Sequence, residues 1–126
     1  MSRQRARQAA GWFASGRAVL GAGMFISPGL ASAVWIGRRP RDPALELFVR
    51  GLAARDVALG IGALRALRED QGPGRWIAMS ALADAGDGVA TLMARPYVGG
   101  RPRLVWSGLA IASAATGAWL SRLVDR

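Results

Sequence analysis

The chain has no cysteine and no histidine, and all seventeen of its basic residues are arginine. Without cysteine there is no disulfide, thiol nucleophile, thiolate metal site or redox motif. Without histidine the commonest metal ligand, haem ligand and general base are missing. Without lysine there is no amine for Schiff-base chemistry. Only carboxylates, hydroxyls, a single tyrosine and arginine remain as reactive side chains. Most familiar catalytic constellations are excluded on composition, and no metal, no cofactor and no enzymatic activity is expected.

What is present is apolar. Of 126 residues 52% are hydrophobic, and the mean hydropathy is +0.20 despite a net charge of +9. Such a charge suits a nucleic-acid partner. However, the basic stretches with aromatics lie only in loops beside apolar runs, so no nucleic acid is expected. Arginine clusters that flank apolar runs are placed to touch anionic lipid headgroups.

A membrane-crossing helix needs about 20 apolar residues. Residues 18–36 and 104–121 are uncharged throughout, and residues 76–94 carry only Asp84 and Asp87. Residues 44–64 form a weaker fourth span that includes Glu46, Arg50, Arg55 and Asp56. Trp12, Trp35, Trp76, Trp106 and Trp119 lie near span ends, where indole is half buried and its N–H stays wet. Short Pro-, Gly- and Arg-rich connections at 37–43, 65–75 and 95–103 place successive helices side by side and antiparallel. The expected fold is an all-α, four-helix transmembrane bundle in one domain spanning 1–126. Residues 1–17 form a basic, interfacial N-terminus, and Pro28 kinks the first span.

Arg3, Arg5 and Arg7 followed by Ala31-Ser32-Ala33 imitate a signal peptide. Further apolar spans follow, so an uncleaved first span is expected. Orientation rests on eight arginines on the N-terminal side, Arg3, Arg5, Arg7, Arg65, Arg68, Arg75, Arg122 and Arg126. Six lie opposite, Arg38, Arg39, Arg41, Arg95, Arg101 and Arg103. The positive-inside rule then puts both termini in the cytoplasm.

The chemistry concentrates in the third span. At 100° per residue Ser80, Asp84, Asp87 and Thr91 fall within about 60° of one another. A carboxylate at the centre of hydrocarbon costs roughly 2.5–3.5 kcal/mol on insertion scales, so this stripe must face the bundle interior. By 1.5 Å per residue, Arg55 on the second span and Asp84 on the third lie at matching depths of roughly 12–13 Å. That predicts an Arg55–Asp84 pair, with Asp56 and Asp87 less compensated. Glu46 and Arg50 have the four-residue spacing of an ion pair on one helix face. Small residues four apart, Ala18–Ala22 and Gly108–Ala112–Thr116, suit close helix approach.

The segment AARDVALGIGAL (53–64) with SALADAGDGV (80–89) resembles an uncharacterised bacterial family of small four-helix integral membrane proteins, a domain of unknown function. The matching residues are Arg55, Asp56, Gly60 and Asp84, with Ala53 where glycine is expected. The resemblance implies four helices and a place in the bacterial inner membrane, and carries no activity.

Three functions compete. The foremost is an accessory or assembly subunit that packs against a larger membrane protein. The alternative is binding or transport of a proton, cation or small polar ligand at the Arg–Asp centre, the reading that suits the other partner expected, a homo-oligomer. The third is an intramembrane aspartyl enzyme, but the Gly-x-Gly-Asp signature is absent, because the stretch reads Asp84-Ala85-Gly86-Asp87.

Overall fold

Each helix begins and ends where local chemistry dictates. The computed structural model describes residues 1–36, 42–95 and 98–125. It is all-helical among those residues, with α1 (Arg3–Ile26), α2 (Pro28–Ile36), α3 (Pro43–Glu69), α4 (Pro73–Met93) and α5 (Gly100–Val124). Ser2 caps α1 by accepting from the Arg5 N–H. Asp42 caps α3 by accepting from the Ala44 N–H at 2.9 Å, ahead of a proline at the first turn. The turn from α3 to α4 uses two left-handed residues, Asp70 (φ 52°) and Gly72 (φ 59°). Gly72 takes that conformation freely, and aspartate tolerates it better than most residues. Pro73 then opens α4.

The first expected span is not one helix. Residues 18–36 break at Ser27, and α1 and α2 are bent by 107°. Proline has no N–H and disfavours helical geometry in the residue before it, so the kink expected at Pro28 is a full break. Ser27 leaves the helical region (φ −126°, ψ 66°), and Arg50 Nε donates to the stranded Phe25 carbonyl at 3.3 Å. Among the described residues there are therefore five helices rather than four. They also outrun the predicted spans, because arginine-rich ends propagate a helix well: α1 starts at Arg3, and α3 runs to Glu69 through part of the expected loop 65–75. The 37–43 connection lies largely outside the described residues, as do Tyr97, Arg38, Arg39, Arg41 and Arg126.

The helices pack through small residues. Buried positions recur at spacings of three, four and seven: Ala6, Ala10, Ala14 and Gly21 on α1, and Val49, Ala53, Gly60, Ala63 and Ala66 on α3. On α4 they are Ile77, Ser80, Ala81, Asp84, Gly88 and Thr91, and on α5 Ser107, Gly117, Leu120 and Val124. That rhythm is the seam of helices packed at shallow angles. A Cβ on Gly60 would lie 2.7 Å from the Ala14 carbonyl oxygen and 2.8 Å from the Ala18 methyl. One on Gly21 would lie 2.8 Å from the Ala53 oxygen. Contacts run in opposite chain order along the principal pairs, Arg7 to Leu67 and Gly21 to Ala53 for α1 and α3. Gly74 to Asp125 and Gly88 to Ser107 do the same for α4 and α5.

The outside carries the bulk. Val19, Leu20, Phe25, Ile26, Leu47, Phe48, Met79, Leu82, Met93, Leu104 and Leu109 are all exposed. Within residues 12–26, 47–61, 76–93 and 104–119 no exposed residue is charged, and Thr116 is the lone polar one. Its hydroxyl donates to the Ala112 carbonyl of its own helix. Among the described residues α5 alone is long and apolar enough to cross a membrane by itself, and α1 with α2 qualifies only as a bent pair. The apolar stretches of α3 and α4 are lowered in hydropathy by Arg50, Arg55 and Asp56, and by Asp84 and Asp87.

Candidate functional site

The chain's buried charge converges on one point midway along the helices. Arg17 of α1 has 8% side-chain exposure and bridges two helices. Its Nη1 donates to Asp56 Oδ1 on α3 at 3.0 Å, and its Nη2 donates to Asp84 Oδ1 on α4 at 2.5 Å. The second Asp84 oxygen accepts from Ser113 Oγ on α5 at 2.5 Å. Arg55 grips Asp87 through both nitrogens, at 3.0 and 2.6 Å, and also donates to Asp56 Oδ1 at 3.3 and 3.1 Å. Five charged side chains and one hydroxyl thus join α1, α3, α4 and α5.

The pairing differs from the one depth alone predicts. Arg55 binds Asp87, not Asp84, because Asp84 is turned toward α1 and α5 while Asp87, one helical turn on, faces α3. Asp84 takes Arg17 instead, and neither Asp56 nor Asp87 is left uncompensated. Ser80 is buried but donates to the Trp76 carbonyl within α4, and Thr91 is buried outside the hydrogen-bonded cluster. Of the expected centre, Arg55, Asp56, Asp84 and Asp87 come together. Ser80 and Thr91 do not join them.

Arg17 and Ser113 are the members that sequence reasoning missed. Arg17 borders the uncharged run 18–36 and reads as the last of the basic N-terminal residues. The signal that places it inside is the stripe Ala6, Ala10, Ala14, Arg17, Gly21, whose spacings of four, four, three and four put the guanidinium on the packing face. Ser113 lies on the corresponding stripe of α5, between Ser107 and Gly117. The Arg17 guanidinium also sits 5.7 Å from the Phe13 ring centre, a cation–π distance. Its Nε is buried with no hydrogen-bond partner.

A buried network of this kind is costly to assemble and costlier to break. Desolvating each ion is recovered only where geometry and hydrogen bonds are good, and removing one partner costs about 3–5 kcal/mol. The bidentate Arg55–Asp87 bond and the doubly bonded Asp84 meet that demand. Each carboxylate of the cluster is engaged by a guanidinium through at least one oxygen, and among them only Asp56 Oδ2 accepts no hydrogen bond.

The remaining predicted residues lie at the ends of the helices. Glu46 and Arg50 approach to 3.6 Å on an exposed face of α3. Near the opposite end Arg3 and Arg7 reach Asp70 at 3.2 and 2.6 Å, and Arg7 Nη2 donates to the Leu67 carbonyl at 2.5 Å. The Arg7 hydrogen bond, with the Arg3 and Arg7 charges, holds the Asp70 carboxyl below its ordinary range. Trp12, Trp76 and Trp119 are exposed. The register of Ala14 on Gly60, Gly62 on Trp76 and Ile77 on Gly117 sets these three indoles at one level. Trp35 and Trp106 are half-buried. No group of acidic residues among the described residues could hold a metal ion.

Comparison of the chain with protein-family models, with curated proteins and with solved structures finds no match. Function must be argued from the surface and the cluster themselves.

Proposed function

We propose that this chain is a small multi-pass protein of the bacterial inner membrane, and that it serves there as an accessory or assembly subunit. In this reading α1, α3, α4 and α5 cross the bilayer in antiparallel order, with both termini cytoplasmic. The charged cluster acts as an internal clasp rather than as a catalytic centre. One observation carries the reading. Arg17, Arg55, Asp56, Asp84 and Asp87, the charges midway along the helices, are turned inward and paired, while the exposed faces around them are apolar apart from Thr116, with most of their large side chains outside. Water would favour the reverse arrangement, whereas lipid tails favour small residues between helices and large ones outside. The level of Trp12, Trp76 and Trp119, next to Arg65, Arg68, Arg75 and Arg122, supports a boundary with headgroups. The stretch from Trp76 to Met93 covers about 26 Å at 1.5 Å per residue, close to a hydrocarbon core of about 30 Å. The Arg-Asp motif that resembles the four-helix bacterial family falls within the clasp.

The test is native-level expression of the tagged chain, alkaline extraction of membranes, then purification in mild detergent with mass determination. The expected result is retention in the extracted membrane pellet and stoichiometric recovery with a membrane partner or with further copies of itself. Recovery in the soluble fraction overturns the membrane reading, and a lone particle overturns the accessory role.

A second reading has one observation in its favour. Three carboxylates face two guanidiniums in the cluster, and Asp56 Oδ2 is not engaged. A proton, a cation or a small polar ligand would balance that excess. A lone particle whose stability responds to such a ligand, with the response lost in Asp56→Asn, supports it over the accessory role.

A further inference from the structure

Two open clefts adjoin each other at the C-terminal end of α3, and no part of the clasp lines either of them. The first, of about 400 Å³, is lined by Ile61, Leu64, Arg65, Arg68 and Glu69. The second, of about 280 Å³, is lined by Gly62, Arg65, Ala66, Glu69, Gln71 and Trp76. We propose that together they form a discrete site for one anionic phospholipid, its phosphate on Arg65 and Arg68 and its acyl chain along Ile61, Leu64 and Trp76. The inference rests on the membrane reading above and names a lipid class for one face of it.

The site is built from the sequence of two helix ends. Ile61, Leu64, Arg65 and Arg68 are three, four and seven residues apart, so apolar and basic side chains line one face of the last two turns of α3. Its apolar half continues the charge-free outer band, for Ile61 is 56% exposed. Its basic half starts one turn further on. The far wall is the Trp76 indole, which lies so close over Gly62 that any Cβ there would collide with the ring. Glycine at 62 therefore creates the second cleft. Indole at this level is suited to the carbonyl region of a lipid, with its face against the chain.

Charge selects the headgroup. Arg65 is spoken for in part, its Nε donating to Glu69 at 2.8 Å, while its side chain remains 76% exposed. Arg68 is exposed and makes no ion pair with the described residues. Arg75, next to Trp76, is also exposed. Two guanidiniums thus line the clefts against one carboxylate, with Arg75 adjoining Trp76 in sequence, and the surplus is positive. Guanidinium forks match phosphate oxygens in a planar, two-bond geometry, and their attraction to an anionic headgroup acts over only about 8 Å at physiological salt. A zwitterionic headgroup brings its own cation and loses this advantage. A free phosphate gains the arginines but nothing from Ile61, Leu64 and Trp76.

The experiment is native mass spectrometry of the full-length chain released from nanodiscs containing equal phosphatidylglycerol and phosphatidylcholine. The wild type should retain one phosphatidylglycerol per chain in preference to phosphatidylcholine. Arg68→Gln should weaken retention about fivefold, and Arg65→Gln with Arg68→Gln about 25-fold, at about a fivefold loss per arginine. The charge-matched double variant Arg101→Gln, Arg103→Gln at the other end should leave retention unchanged. Both substituted pairs are on the surface, and helical circular dichroism of each variant checks that it folds. Equal loss in the two double variants would mean diffuse attraction and overturns the site. Equal retention of the two lipids, or displacement by millimolar inorganic phosphate, overturns it too. Alkaline extraction of the same cells separates the two failures. A chain that stays in the membrane but shows no lipid preference refutes only this site, whereas a soluble chain refutes the membrane reading beneath it.

Discussion

Arg17 carries more of the structure than any other charged residue, because it touches carboxylates on two other helices and is nearly enclosed. Arg17→Ala leaves Asp84 with only the Ser113 hydroxyl and Asp56 with only Arg55. Stability should fall by about 3–5 kcal/mol, the range for stripping one partner from a buried pair. Arg55→Ala should cost less, since Arg55 is 32% exposed and water can reach what it leaves behind. Reversible unfolding in mixed micelles, monitored by circular dichroism, checks the order, and an Arg55 loss equal to or above the Arg17 loss contradicts it. Asp70 gives the pH prediction. Its folded carboxyl is held below its ordinary range by Arg7 and Arg3. The stabilisation is therefore complete above the unfolded value of about 4, and is lost as pH falls through the lower folded value. Acidification should lower the protection of amides near residues 3–10, measured as exchange corrected for its intrinsic pH dependence, and Asp70→Asn should show that lower protection already at neutral pH. Unchanged protection across the acid range would mean that the contact does not hold the α1 end.

At the scale of the element, the glycines separate into those that must stay small and those that need not. Gly60→Ala places a methyl against the Ala14 carbonyl and the Ala18 methyl, neither of which can swing away, so α1 and α3 must part. A loss of about 1–3 kcal/mol is expected from overpacking. Gly23→Ala meets nothing within 4 Å and should be neutral or stabilise by about 0.5–1 kcal/mol through helix propensity. Thermal unfolding of the two variants side by side checks both signs. The same elements show what the sequence reveals. Four long apolar runs and the inward turn of Asp84 and Asp87 are legible because hydropathy and helical periodicity are local. The small-residue stripes expected at Ala18–Ala22 and Gly108–Ala112–Thr116 do not form packing faces: only Ala18 packs, against Gly60, while Ala22, Gly108, Ala112 and Thr116 are exposed, because spacing alone does not say which side of a helix meets a neighbour. The break at Ser27 reads in sequence only as a kink, since a proline can end a helix or merely bend it, and tertiary packing decides. The pairing of the clasp was out of reach for a different reason. Depth fixes the height of a charge along a helix, but rotation about the helix axis chooses its partner. That rotation is set by the glycines at the helix contacts, above all Gly21, Gly60 and Gly74, where a Cβ would lie within 3 Å of a neighbouring carbonyl oxygen.

At the scale of the molecule, most large apolar side chains lie outside and small ones inside, the arrangement on which the proposed membrane reading rests. Alanine and glycine hold its interior together, and leucine, methionine, phenylalanine and tryptophan coat its middle. Removal from a bilayer or detergent should therefore expose far more apolar surface than the few hundred Å² a soluble monomer tolerates. The detergent-free chain should precipitate or self-associate, as light scattering on dilution below the critical micelle concentration can show. A clear, monomeric solution would be incompatible with this surface. The basic ends act differently, since Arg65, Arg68, Arg75 and Arg122 cluster at the end that also carries Arg3 and Arg5.

The clasp also bears on the order in which the chain can be made. Arg17, Arg55 and Asp56 emerge first and leave the N-terminal half with a formal charge of +1 at its centre, whereas Asp84 and Asp87 give the later half −2. Neither half is electrically finished on its own, so α1 and α3 cannot settle as a completed hairpin before α4 is synthesised. The ribosome must deliver the second half to a waiting first one. Two fragments divided at the α3–α4 turn and expressed together thus have a built-in reason to find each other.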